Sequence, residues 1–134
     1  MSDYYQKGTE CLEAGKMKDA EEAFLKLINE NPKHVMGYNK LGLVYARIED
    51  YKRAKESFQK ALELDPKQVH AWSNLGNIAR QEGKLEKARS YYQKALEVDP
   101  GNPIPERNLR TVEKQLKWKP NIFQLFRKNK SDKS

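Results

Sequence analysis

Three prolines, Pro32, Pro66 and Pro100, stand 34 residues apart and divide the first hundred positions into equal units. The same period aligns Gly8, Gly42 and Gly76, then Ala20, Ala54 and Ala88, then the aromatics Phe24, Phe58 and Tyr92. Four residue classes recurring in register mean that one structural unit is used three times, and a period of this length belongs to stacked repeat architectures. Between the marks, apolar residues recur at three and four, as in Leu41, Val44, Tyr45 and Ile48, or Ala54, Phe58, Ala61 and Leu62. That is the spacing of an amphipathic helix, so each unit is a pair of helices.

The punctuation sets the helix ends. Gly15 and Gly83 suit the left-handed conformation that closes a helix, with Glu49-Asp50 in that place in the middle unit. Asn31-Pro32, Asp65-Pro66 and Asp99-Pro100 close each second helix. Helices are expected at about 2–14, 18–30, 35–48, 52–64, 69–82 and 86–98. A further helix is expected from about 104 to 118. Pro103 and Pro105 suit its first turn, where a missing amide proton costs nothing, and Leu109, Val112 and Leu116 form one apolar face.

These marks resemble the tetratricopeptide repeat (TPR) family, whose pattern is Trp-x2-Leu-Gly-x2-Tyr, then Ala-x3-Phe, then Pro. The middle unit has Tyr38, Leu41, Gly42, Tyr45, Ala54, Phe58 and Pro66, and the third has Trp72, Leu75, Gly76, Ala79, Ala88, Tyr92 and Pro100. The first keeps Tyr4, Gly8, Ala20, Phe24 and Pro32 but has Lys7 and Cys11 at the Leu and Tyr places. A terminal repeat lacks a neighbour on one side and need not present a full apolar face there. The resemblance covers residues 1–102 as repeats 1–34, 35–68 and 69–102, with 103–118 as a capping helix and 119–134 as a basic amphipathic tail. It implies an all-α, right-handed superhelical solenoid of antiparallel helix pairs.

Composition agrees with a thin core. Only 37% of the residues are apolar and 34% are charged, against roughly 45–50% and 25% in an average soluble domain. The repeated glycines and alanines have almost no side chain, which lets paired helices approach closely while the aromatics fill the space beside them. A coiled coil would not tolerate Pro and Gly in every period. At 134 residues the chain holds one domain.

Little here can carry catalysis. Cys11 is the one cysteine, which excludes an intramolecular disulfide, and it sits at a packing position of the repeat. The two histidines, His34 and His70, have no partner at zinc-ligand spacing. Gly76 and Gly83-Lys84 superficially suggest a phosphate loop, but the spacing and the following Leu85 are wrong for one. No enzyme activity, cofactor or metal is expected. No apolar run approaches a membrane span and no secretory signal is visible, so a cytoplasmic protein is expected.

The resemblance implies that the first helix of each pair lines a concave groove. Its inward positions carry Asn39, Lys40, Leu43 and Arg47 in the middle unit and His70, Asn74, Asn77 and Arg80 in the third, with Arg107 on the capping helix. Almost no acids stand among them, although residues 1–100 as a whole are near charge balance, with 17 Lys and Arg against 16 Asp and Glu. Amides both donate to and accept from a peptide backbone, and Lys and Arg bind carboxylates, so the expected partner is a protein or peptide with an acidic extended segment. One TPR subclass holds chaperone carboxylates with Lys and Asn, then Asn, then Lys and Arg. Here Tyr5 and Thr9, Lys40, and His70 with Asn74 stand in those places.

The net charge of +7 resides mostly after residue 100, where 9 basic residues face 3 acidic ones. In this stretch Trp118, Ile122, Phe123, Leu125 and Phe126 precede the basic run Arg127-Lys128-Asn129-Lys130. A short helix opened by Pro120 would cluster these apolar groups, for docking on its own repeats, self-association, or contact with a membrane surface. Specific nucleic-acid binding is not expected, because no recognition motif accompanies the charge.

Overall fold

The computed structural model describes the backbone of residues 3–132 and the side chains of residues 3–118. Its order is α1 (Tyr4–Glu13), α2 (Met17–Glu30), α3 (Val35–Arg47), α4 (Tyr51–Leu64), α5 (Val69–Gln81), α6 (Leu85–Val98) and α7 (Pro103–Asp132), with no strand among the described residues. The all-helical solenoid read from the repeat is what forms. Each odd helix packs on the even helix that follows it, and each even helix on the next odd one. α1, α3 and α5 also touch in succession, so the odd helices line one face of the stack.

The repeated residues each meet a specific packing need. A Cβ placed on Gly8, Gly42 or Gly76 would lie 2.6–2.7 Å from the ring of Phe24, Phe58 or Tyr92 respectively. Those rings are fully buried, as are Ala20, Ala54 and Ala88. The aromatic that opens each later repeat ties the junction instead. The Tyr38 hydroxyl donates to the carbonyl of Pro32 at 3.0 Å, and the Trp72 indole N–H donates to that of Pro66 at 2.8 Å, six residues back in both cases.

Leu41 and Tyr45 are buried at the α2–α3 junction, where Ile28 lies beside them. At the matching places of α1, Lys7 is exposed and Cys11 half-buried, and both line a hollow shared with Asp19, Glu22, Ala23 and Lys26 of α2.

Gly15 and Gly83 both close their helices at φ 78°, and Glu49 takes the same turn at φ 63°. An L-residue in that region is strained by contact between its Cβ and the carbonyl. The bonds that close this turn run from Glu49 N to Ala46 O and from Asp50 N to Tyr45 O. Asp50 then caps α4 by accepting from the Arg53 N–H at 3.2 Å. Glu49 is exposed and makes no contact that a glycine would lose, so Glu49→Gly is expected to stabilise the fold by about 0.5–1 kcal/mol, read by urea unfolding.

At the C-terminal side, Asn102 caps α7 by accepting from the Ile104 N–H at 3.1 Å. Pro103 occupies the first helical position and Pro105 is buried. Val112 is fully buried with Leu109 and Leu116 beside it, packed against Ala88 and Tyr92 of α6. One expectation is corrected: the helix does not stop near 118, nor does a separate one open at Pro120. α7 continues as one helix to Asp132. Proline's fixed φ lies within the helical range, so its cost inside a helix is one lost hydrogen bond and a local crowding that a bend relieves. The flanking Lys, Gln, Leu and Arg residues are all good helix formers.

Candidate functional site

The first three turns of α3 and α5 and the start of α7 line an open cleft of about 380 Å³. Met36, Leu43, Val69, Ile104 and Pro105 give it apolar walls, while Asn39, Ser73, Asn74, Asn77 and Asn102 supply polar groups. Lys40 and His70 complete the lining, which contains no Asp or Glu. Lys40 is half-buried and makes no ion pair among the described residues. The cleft therefore combines one fixed cation with a surface of amides and hydrocarbon.

Of the residues singled out in the sequence, the structure brings Asn39, Lys40, Leu43, His70, Asn74 and Asn77 together here. The three arginines lie outside it. Arg47, in the last turn of α3, donates to the carbonyl of Leu12 at 3.1 Å and so satisfies the C-terminal end of α1. Arg80 lies in the last turn of α5, where its charge acts on the Tyr92 hydroxyl. Arg107 is exposed on α7.

Three of the cleft asparagines already have structural duties, Asn102 as the cap of α7. Asn77 Oδ1 accepts from the Tyr92 hydroxyl at 2.5 Å and from Asn108 Nδ2 at 3.4 Å, joining α5, α6 and α7 at one carbonyl. Burial holds the Tyr92 hydroxyl above its usual pKa, opposed by the charge of Arg80, so it remains a donor. Asn39 Nδ2 donates to Gln68 Oε1 at 2.9 Å, and Gln68 Nε2 donates to Asp65 Oδ2 at 2.8 Å. The Gln68 amide and the Lys67 N–H together hold the Asp65 carboxyl below its ordinary range. This chain fixes the Asn39 carboxamide with its nitrogen facing α5.

Gln68, Val69, Asn102, Ile104 and Pro105 were not marked by sequence reading as part of the site. Gln68 and Asn102 are 34 residues apart and each immediately precedes an odd helix, so the repeat itself holds the signal that would have found them.

Trp118 is 64% exposed and lies beside Leu85, Lys114 and Gln115 in a separate shallow hollow. The side chains of Ile122, Phe123, Leu125 and Phe126, named with it as a second candidate contact, lie outside the described residues. Among the described residues there is no metal-type cluster of His, Cys, Asp and Glu, and no helix long and apolar enough to cross a membrane.

A stack of helix pairs with a polar cleft on its odd-helix face defines a helical-repeat protein of the solenoid class. A family profile described as tetratricopeptide repeat matches residues 5–54 and 39–103, and the chain belongs to that family. No curated protein sequence matches it. Among solved structures, the first TPR of Spaghetti (RPAP3) bound to the HSP90 peptide SRMEEVD superposes with a TM-score of 0.80 at 24% identity, covering 84% of this chain and 90% of that one. The second TPR domain of human RPAP3 in complex with the HSP70 peptide SGPTIEEVD gives 0.76 at 22% identity, covering 82% and 92%. The Sgt2 TPR domain from Aspergillus fumigatus gives 0.82 at 19% identity, covering 88% and 80%. At these identities the likeness is one of fold.

Proposed function

We propose that this chain is a non-catalytic protein-interaction module whose odd-helix face takes an acidic, extended segment of a partner protein. The observation that carries this reading is the cleft lining: Lys40 and His70 among four asparagines and no carboxylate, in a chain with 19 acidic residues. A lysine without an ion pair, set among amides, favours negative charge and an exposed peptide backbone. Two structures of similar fold hold peptides ending in Glu-Glu-Val-Asp, which supports a peptide ligand. Tyr5, Thr9, Lys40, His70 and Asn74 stand at the places where the chaperone-binding subclass keeps its Lys, Asn and Arg set. The acidic segment is therefore held differently, with Lys40 as the central charge and Arg80 further along the same helix row.

Selection of displayed random peptides on the full chain tests this. The selected peptides are expected to be rich in Asp and Glu. Their affinity is expected to fall about tenfold or more for Lys40→Glu combined with Arg80→Glu, and to weaken as salt rises. Neutral or basic selected peptides, or affinities unchanged by both charge reversal and salt, would overturn the reading.

A further inference from the structure

Trp118 is the most exposed large apolar side chain among the described residues. It stands two positions past Leu116, the last residue of α7 that packs against the core among the described residues. With Leu85, Lys114 and Gln115 it lines an open hollow of about 440 Å³, whose apolar floor, Leu85, packs on the same core. A single exposed tryptophan needs no explanation. This one opens a series.

α7 runs on as one helix from Lys117 to Asp132, about 24 Å at the helical rise. In a continuous helix positions 118, 122, 125 and 126 fall on one face, and the sequence puts Trp, Ile, Leu and Phe there. Positions 117, 121, 124 and 128 share another face and carry Lys, Asn, Gln and Lys. From Lys114 to Ser131 the chain has six Lys and Arg and no Asp or Glu. Lys114 and Lys117 are exposed and make no ion pair among the described residues.

The partner must therefore offer apolar cover and negative charge together. A second copy would bring the same cations into the contact, like against like. A nucleic acid offers phosphates but no apolar phase for a row of large hydrophobic groups to enter. An anionic bilayer surface supplies both, since headgroup phosphates attract Lys and Arg while Trp and Phe settle roughly 5–10 Å deep at the acyl boundary. No helix among the described residues is long and apolar enough to cross a membrane, so the contact is one that lies along the surface.

We propose that the distal half of α7, beginning at Trp118, is a lipid-surface anchor that docks the repeat stack on anionic membranes. Trp118 enters the interface first, Lys114 and Lys117 hold headgroup phosphates beside it, and the helix beyond lies in the membrane plane. The cleft and the Trp118 hollow share no lining residue, so a docked stack keeps its cleft open to a protein partner.

The test uses the full chain with vesicles of phosphatidylcholine alone and with about one-third phosphatidylglycerol added. Trp72→Phe leaves Trp118 as the one tryptophan, and its emission is expected to move to shorter wavelength on the anionic vesicles. Co-sedimentation of the unaltered chain reads the same binding without that change. Affinity is expected to be at least about tenfold higher for anionic than for neutral vesicles, and to fall as salt rises. Trp118→Ala, and separately Lys114→Glu with Lys117→Glu, should each weaken it about tenfold or more while leaving the circular dichroism melt in place, because all three residues are exposed. Lys40→Glu should leave it unchanged.

No binding to anionic vesicles at millimolar lipid, equal binding to neutral ones, or no effect of Trp118→Ala would overturn the inference. So would loss of binding with Lys40→Glu, which would move the contact to the cleft. A chain that dimerises without lipid and loses the dimer with Trp118→Ala, or one that a duplex oligonucleotide strips from the vesicles, would overturn it in favour of a second copy or a nucleic acid. None of these results bears on the acidic-peptide reading, which the displayed-peptide selection decides.

Discussion

Replacing Phe58 with alanine is expected to cost about 3–5 kcal/mol, the usual range for removing a buried aromatic. The ring is fully buried in the middle repeat and closes on Gly42 of the partner helix, which has no side chain with which to fill the space left behind. For a chain of this size the loss lowers Tm by roughly 10–25 °C. Position matters as much as volume. Each repeat touches only its neighbours, so stability is a sum of unit and junction contributions. A weakened central unit uncouples the two ends, and the unfolding transition should broaden as well as shift. Circular dichroism melts of Phe58→Ala and Phe24→Ala check this, because Phe24, equally buried, lies in the first repeat and should shift the transition with less broadening. Equal broadening for both would contradict the nearest-neighbour account.

The second large effect comes from adding a single methyl group. Gly42→Ala places a Cβ 2.7 Å from Phe58 Cε1 and 2.8 Å from Cζ, closer than carbon atoms approach. Two effects oppose each other. Alanine in a helix interior gains about 1 kcal/mol over glycine, while overpacking a closed core costs about 1–3 kcal/mol and occasionally more. The clash wins here because the ring it strikes is fully buried and has nowhere to turn. A net destabilisation of about 1–2 kcal/mol is expected in urea unfolding. Combining it with Phe58→Leu separates clash from propensity. The shorter side chain leaves room for the methyl, so the double variant should be more stable than the sum of the singles by about 1 kcal/mol or more. Strict additivity would mean that the two residues do not meet.

Repetition made the fold readable from the chain. A residue such as Gly42 is ambiguous alone, but with Gly8 and Gly76 at the same phase it marks a close approach between helices, and the matching aromatics identify what approaches. Helix ends were readable for a similar reason, and Glu49 was found at the left-handed turn because glycine stands at that phase in the other two repeats. Polar partnerships were not readable. Phase states which face Asn39, Arg47 and Asn77 occupy, yet their bonds reach Gln68, Leu12 and Asn108, 29 to 35 residues away on or beside other helices. Whether an amide is free for a ligand or spent on a junction depends on those distant geometries, and no local pattern records them. The course of α7 past Pro120 lies beyond the last repeat, where no phase marks a helix and a lone proline points to a break that does not form.

The carbonyl of Asn77 gives the stack a mechanical property. It lines the cleft and also holds Tyr92 and Asn108, and α7 runs on from Asn108 to Asp132, about 36 Å at the helical rise. Each degree of tilt imposed at that contact displaces the far end by roughly 0.6 Å over that length. A movement too small to measure at the cleft is thereby magnified at the distant tip, and a spin or fluorescent label there would serve as the pointer of a gauge.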